Sequence, residues 1–334
     1  MMKNNPPIFI VGAPRSGTTL LASFLDRHSR ICVPPETRFF REVNPSLLAL
    51  CERGGSRKEM IELLLSGLRI QDLDLNAEDL STHWKTKNIS DLFLTALEVF
   101  AQRHGKSRPG EKSPVHLHSL DIIFDWYPDA RVVHIIRDGR DVVLSLQNVV
   151  WSHNSLVRHC FMWRRKVAHI RHKMSKYDKK ILTLKYKELV TQPVDEIQKV
   201  CSFIGENFEK RMLDVKIPTN VVPDWEANWK GRVKKTLDPS RVNKWKHATS
   251  EEDLFLMQYI MGDMLRYWGY PLKRINPSLT QKLHCFLKVL PHHPALHPHL
   301  RSLREFLSQI GVPTPKVSVE KSIESIIEEK KDGE

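Results

Sequence analysis

Gly12-Ala13-Pro14-Arg15-Ser16-Gly17-Thr18-Thr19 follows the apolar run Ile8-Phe9-Ile10-Val11 and precedes an amphipathic segment. Two glycines bounding a short loop between a strand and a helix let successive backbone N–H groups converge on an anion. The helix N-terminus adds its dipole. Ser16, Thr18 and Thr19 contribute hydroxyls. The glycine spacing is that of nucleoside-triphosphate loops, G-x-x-x-x-G-K-[ST], whose Lys reaches the β and γ phosphates. Here Thr18 stands at the Lys position, and the cation lies inside the loop at Arg15, whose planar fork suits phosphate-like groups. The loop is therefore built for a phosphate-like group but departs from an ordinary ATP or GTP site.

A second apolar run, Val132-Val133-His134-Ile135-Ile136, feeds Arg137-Asp138-Gly139-Arg140-Asp141, and Ser145 follows on the next helix start. Ligands of open parallel sheets gather at the carboxyl ends of strands. Two anion-handling edges on one sheet imply a ligand with two separate anionic groups. Asp138 and Asp141 suit structural work, capping the helix or bracing Arg15 and Arg140.

These two motifs, P-R-S-G-T-T and R-D-x-R-D-x-x-x-S, resemble those of sulfotransferases that use 3′-phosphoadenosine-5′-phosphosulfate (PAPS). The resemblance implies that Arg15, Ser16, Gly17, Thr18 and Thr19 hold the 5′-phosphosulfate, while Arg137 and Ser145 hold the 3′-phosphate. Tyr186, in Tyr186-Lys187-Glu188-Leu189, matches a motif whose Tyr lies near adenine. Lys112, in Glu111-Lys112-Ser113-Pro114, matches a Lys that stabilises the departing bridging oxygen. Phenol-type members carry a His two residues further on, where this chain has Pro114. Tyrosylprotein-type members instead carry a Glu in a short E-T-R motif, matched by Glu36-Thr37-Arg38. Glu36 is thus the candidate general base, with His116 and His118 as alternatives, and Arg38 the candidate contact to a polar or anionic acceptor. Lys234-Lys235-Thr236 and Asn243-Lys244-Trp245 resemble the late loop that covers the cofactor.

The elements needed to position these residues are legible. Ile8–Val11, Ile31–Val33, a strand ending at Glu111-Lys112, Val132–Ile136 and Ile181–Lys185 alternate with helical segments. That order predicts an α/β, three-layer, P-loop-like fold with a central parallel sheet flanked by helices. The expected organisation is one sulfotransferase-type domain over 1–272, with a helical insertion at about 45–104, and a helical C-terminal extension over 273–334 ending in a charged tail. Within the insertion, Ser90 or Asp91 is the expected cap of a helix over Leu92–Phe100.

The 334 residues carry a formal net charge of +13, with basic residues spread along the whole chain. This fits an anion pocket within a basic surface, and no nucleic-acid module of interleaved basic and aromatic residues stands out. The five cysteines form no C-x-x-C pair, so reduced thiols are expected. His284, His292, His293, His297 and His299 interleave with prolines and lack metal-ligand spacing, so no metal is expected. No secretory signal or transmembrane run of about 18 apolar residues appears. The expectation is a cytoplasmic enzyme that moves a sulfuryl group from PAPS to a hydroxyl acceptor. The acceptor is open among small molecule, glycan, lipid and protein tyrosine, and so is the oligomeric state. The competing readings are a P-loop small-molecule kinase and a non-catalytic nucleotide-binding module.

Overall fold

The computed structural model describes residues 6–149, 152, 155–226 and 237–290. Five parallel strands form the central sheet: β1 (Ile8–Gly12), β2 (Ile31–Cys32), β3 (Arg108–Lys112), β4 (Arg131–Ile136) and β5 (Ile181–Lys185), in the order β2-β3-β1-β4-β5. The chain leaves β1 toward one edge and β4 toward the other, so the switch point lies between β1 and β4, where a ligand crevice opens. Register brings Ile10 beside Lys112, Gly12 beside Ile135 and Ile136 beside Lys185. The residues that follow these strands therefore emerge at one edge.

Alternation along β1 sends side chains to both faces of the sheet, and both faces are covered, as parallel sheets require. On one face Ile8 and Ile10 pack with Val133, Ile135 and Leu184 against α1 (Thr18–Asp26), α10 (Tyr186–Thr191) and α11 (Pro193–Ile204). On the other, Phe9 meets Tyr127 and Phe40, and Phe39 stacks on Phe93 with centroids 3.9 Å apart. This aromatic cluster roots the short α2 (Phe39–Glu42) beside α6 (Ile89–Arg103), α7 (Leu120–Trp126) and the 3₁₀ turn Pro114–Ser119. The result is the expected three-layer α/β fold.

The insertion is helical, with α3 (Asn44–Glu52), α4 (Arg57–Ser66) and α5 (Ala77–His83) preceding α6. The start of α6 differs from expectation. The helix begins at Ile89 with Asn88 in the cap position, and Ser90 and Asp91 fall inside its first turn. The Asp91 carboxylate instead accepts from Thr86 Oγ1 at 2.6 Å, which stiffens the entry to the helix.

The chain forms two compact units. The first comprises the described residues of Met1–Val142 and Met162–His247, the second those of Val143–Phe161 and Ala248–Glu334. The helices α8 (Gly139–Gln147) and α9 (Leu156–Lys176) run from one unit into the other along the chain. After α12 (Trp245–Ala248), the second unit contains α13 (Glu251–Tyr267) and α14 (Leu279–Val289). Glu252 on α13 accepts from Lys288 and pairs with His284 on α14, each at 3.1 Å. All five cysteines are free thiols. Among the described residues, no helix is long and apolar enough to cross a membrane, and no group of three or more His, Cys, Asp or Glu side chains is placed to hold a metal ion.

Candidate active site

The loop after β1 is shaped by close approaches that only glycine allows. A Cβ on Gly12 would lie 2.6 Å from the Ile135 carbonyl oxygen, inside the neighbouring strand's backbone. Gly17 adopts φ +105°, a left-handed conformation, and a Cβ there would lie 2.6 Å from the Tyr186 ring. Tyr186 thus closes one side of the loop, and burial raises its phenol above the ordinary range. Arg15 also has a left-handed backbone, with φ 67°. Such strain in a non-glycine residue is characteristic of ligand-binding loops. Thr18 and Thr19 occupy the first turn of α1, Thr18 buried and Thr19 half-buried.

Among the described residues, Ser16 Oγ and Arg137 Nε at this edge are buried with no hydrogen-bond partner. An orphaned buried polar group costs about 1–3 kcal/mol unless a ligand satisfies it. Together with the tight glycine cradle and the start of α1, they fit a phosphate-bearing ligand.

Arg137, at the end of β4, donates from Nη1 to the Arg15 carbonyl at 3.2 Å and from Nη2 to the Arg241 carbonyl at 2.8 Å. Its guanidinium also sits 4.6 Å from the Tyr186 ring centroid. The structure therefore joins Arg15, Gly17, Arg137 and Tyr186 in one cluster. Ser145 lies on α8 within the second unit.

The two aspartates of the second motif divide the structural work. Asp138 receives Nε and Nη2 of Arg140 at 2.9 and 2.7 Å, bracing it as expected. Asp141 also does structural work, through backbone groups further along the chain. Its carboxylate accepts the backbone N–H of Asn243 at 2.9 Å and of Trp245 at 3.0 Å. Burial raises its carboxyl despite Arg137 nearby. Arg140, locked by Asp138, lies 3.6 Å from the Trp245 ring centroid. The motif thus also clamps the segment 241–245 over this edge, a role that adjacent residues in sequence do not reveal. Lys234, Lys235 and Thr236 lie outside the described residues, as do His292, His293, His297 and His299.

Glu36 and Lys112 come together across 76 residues of chain, with Lys112 Nζ donating to Glu36 Oε1 at 2.8 Å. Lys112 is fully buried and Glu36 nearly so. The geometry around them is set by a residue that sequence reasoning passed over, Glu111. Its carboxylate accepts from Thr37 at 2.9 Å and Ser113 at 2.6 Å, and contacts His116 Nδ1 at 2.8 Å. Burial alone would raise the Glu111 carboxyl, but His116, Ser113 and Thr37 outweigh it and hold it below its ordinary value. Ser113 Oγ in turn accepts the N–H of Arg38, which has φ 48°. Glu111 therefore fastens the Glu36-Thr37-Arg38 segment to the end of β3. The Arg38 guanidinium reaches Glu42 at 3.2 Å and Glu36 at 3.8 Å.

The alternative bases fare differently from Glu36. Both ring nitrogens of His116 are engaged, one with Glu111 and the other accepting the Phe40 N–H at 3.4 Å. His118 accepts from Lys166 Nζ at 3.1 Å. The site thus has a buried carboxylate–ammonium pair at the end of β3, and β3 lies beside the strand that leads into the glycine-bounded loop.

A family model described as the sulfotransferase family matches residues 6–210, more than half of the chain. The protein-tyrosine sulfotransferase of Drosophila melanogaster is 25% identical over 252 residues, covering 72% of this chain and 47% of that protein. Protein-tyrosine sulfotransferase 1 of Rattus norvegicus is 37% identical over 147 residues, covering 43% of this chain and 34% of that protein. The matched stretch thus spans under half the length of either relative. The sulfotransferase domain of the Synechococcus PCC 7002 olefin synthase shares the fold, with a TM-score of 0.59 and 23% identity over 82% of this chain and 98% of that domain.

Proposed function

We propose, from the premise that this chain belongs to the sulfotransferase family, that it transfers a sulfuryl group from PAPS to a hydroxyl acceptor by in-line displacement. The observation that carries the reading is the buried Glu36–Lys112 pair, held at the sheet edge that also bears the glycine-cradled loop and Arg137. PAPS, when bound, supplies a sulfuryl group on a phosphate that is the leaving group. Loop N–H groups with Ser16, Thr18 and Thr19 hold the 5′ end, and Arg15 and Arg137 supply positive charge. Glu36 accepts the proton of the acceptor hydroxyl. Lys112 orients Glu36 in the resting site and provides the cation against which negative charge develops. The relatives named for protein tyrosine make a tyrosine hydroxyl one acceptor to test, alongside small-molecule, glycan and lipid hydroxyls.

The kinase reading is weakened by Asp138. This is the acidic residue at the strand edge where a metal-binding carboxylate would be needed, and Arg140 occupies both its oxygens. The non-catalytic reading leaves the buried Glu36–Lys112 pair without a purpose. The direct test is calorimetric binding of 3′-phosphoadenosine-5′-phosphate (PAP) against ATP, without added magnesium. Tight PAP binding with little ATP binding is the expected result. Magnesium-dependent ATP binding in place of PAP binding would overturn the reading.

A further inference from the structure

A second buried lysine lies beyond the Glu36–Lys112 pair. Lys166 on α9 is 9% exposed, and its ammonium donates to His118 Nε2 at 3.1 Å. No carboxylate forms an ion pair with Lys166, Arg41 or Arg165 among the described residues. The acids around them are committed elsewhere. Glu42 pairs with Arg38 at 3.2 Å, while Asp121 serves Lys173, Lys176 and Tyr177. His118 and His169 lie with ring centroids 5.0 Å apart, and His169 Nε2 is buried without a partner. Burial, with Lys166, His169, Arg165 and Arg41 nearby, pushes His118 down to about 4, so it is neutral at physiological pH. A neutral His118 that accepts at Nε2 carries its proton on Nδ1 and so offers a further donor. Arg41 and Arg165 are exposed and lie close enough to lower Lys166 electrostatically. The cluster thus joins three cations and two imidazoles; the carboxylate that acts on it, Asp121 beside His169, is bound by Lys173, Lys176 and Tyr177.

Its place in the fold ties it to the acceptor side. β3 ends at Lys112 and continues into the 3₁₀ turn that carries His118, while Glu36 leads directly into α2, which carries Arg41. Two extended steps from Lys112 to Pro114 and four of 3₁₀ rise to His118 bound the backbone separation at about 15 Å.

We propose that Lys166, Arg41 and Arg165, with His118, form a subsite for a phosphate group carried by the acceptor, so that the acceptor is a phosphorylated hydroxyl compound. This rests on the sulfuryl-transfer reading above. A phosphate monoester brings a charge of about −1.5 to −2 and three acceptor oxygens. A single carboxylate brings one charge and leaves the cluster strongly positive.

The test is calorimetric titration of inorganic phosphate into the full chain saturated with PAP, which occupies the loop and Arg137. Wild type is expected to bind one further phosphate, and Lys166→Met and Arg41→Ala are each expected to weaken it at least tenfold with PAP affinity unchanged. Arg41 is exposed, so its variant folds irrespective of Lys166. Three results would overturn the subsite: no phosphate binding beyond PAP, equal affinity in wild type and both variants, or equally strong displacement by an unphosphorylated Glu-rich tyrosine peptide. If PAP itself fails to bind, the donor reading falls. The difference between wild type and Lys166→Met in phosphate affinity, measured without PAP, then still decides the subsite.

Discussion

The proposed donor end and the proposed acceptor end of this site are built by different means. Around Gly12–Thr19 the ligand surface is largely backbone, and it works because no side chain intrudes: a Cβ at Gly17 would strike Tyr186 at 2.6 Å. At Glu36, Lys112 and Lys166 the surface is side-chain charge, buried and assembled from segments far apart in sequence. The two lysines sharpen the contrast. Lys112 is buried against a carboxylate, whereas Lys166 is buried against a neutral imidazole. A donor loop of this kind tolerates no added volume, and an acceptor end of this kind tolerates no change of charge.

The largest effect should come from altering charge without volume at the acceptor end. Glu36→Gln leaves Lys112 facing an amide, as Lys166 faces an imidazole, and removes the proposed proton acceptor. Turnover is expected to fall about 10²–10⁴-fold, the usual contribution of a general base, with PAP affinity preserved. Single-turnover sulfuryl transfer with labelled PAPS measures this. Near-normal turnover would transfer the role to water or to another side chain.

The converse change, volume without charge at the donor end, is Gly17→Ala. The left-handed backbone and the Tyr186 ring together cost on the order of 1–3 kcal/mol of strain, so PAP binding should weaken roughly 5- to 150-fold. The Glu36–Lys112 pair is untouched, so turnover at saturating PAPS should fall much less than affinity. A loss in turnover alone would show that the two ends are not separable. Arg137→Ala should act on the same side with a comparable effect, about 1.5–3 kcal/mol for a lost charge-assisted contact. Unchanged PAP affinity in that variant would remove Arg137 from the cofactor site.

The same contrast explains what could be read in advance. The donor end is contiguous, so P-R-S-G-T-T and R-D-G-R-D stand out as words, and each follows an apolar strand that fixes the sheet. The parallel direction of β1, β3, β4 and β5 follows from that alternation; their order in the sheet does not. Glu36 was reachable only through its E-T-R neighbours. Glu111, which fastens Thr37, Ser113 and His116, gives no sign of doing so, because its partners are 74, 2 and 5 residues away and only the fold brings them to one carboxylate. Asp141 was legible as structural but its partners were not: the N–H groups of Asn243 and Trp245 are backbone, which carries no residue code. Lys166 sits in a run of basic residues on α9 that reads as a solvated face until His118 is brought against it.

The smallest effect concerns stability, and its sign separates a lysine kept for structure from one kept for a ligand. Folding removes the Lys166 ammonium from water without supplying an anion. Burial, with Arg41 and Arg165, lowers it from its ordinary value to about 8. Below pH 8 both folded and unfolded chains carry the charge, and the folded state bears the full penalty. As pH rises from 8 toward the unfolded value near 10.5, the folded state gives up its proton first, so wild-type stability rises relative to a chain lacking the amine. Above that range the penalty is gone. Lys166→Met keeps the aliphatic stem and removes the charge, so it should stabilise the protein by roughly 1–3 kcal/mol at pH 7, with the gain shrinking toward pH 10.5. Chemical denaturation at pH 7 and pH 10 measures both values. Phosphate should then reverse the order at pH 7, stabilising wild type by mass action and leaving the variant almost unmoved. A variant less stable than wild type at pH 7 without phosphate would mean that Lys166 holds the fold together, and the contrast with Lys112 would collapse.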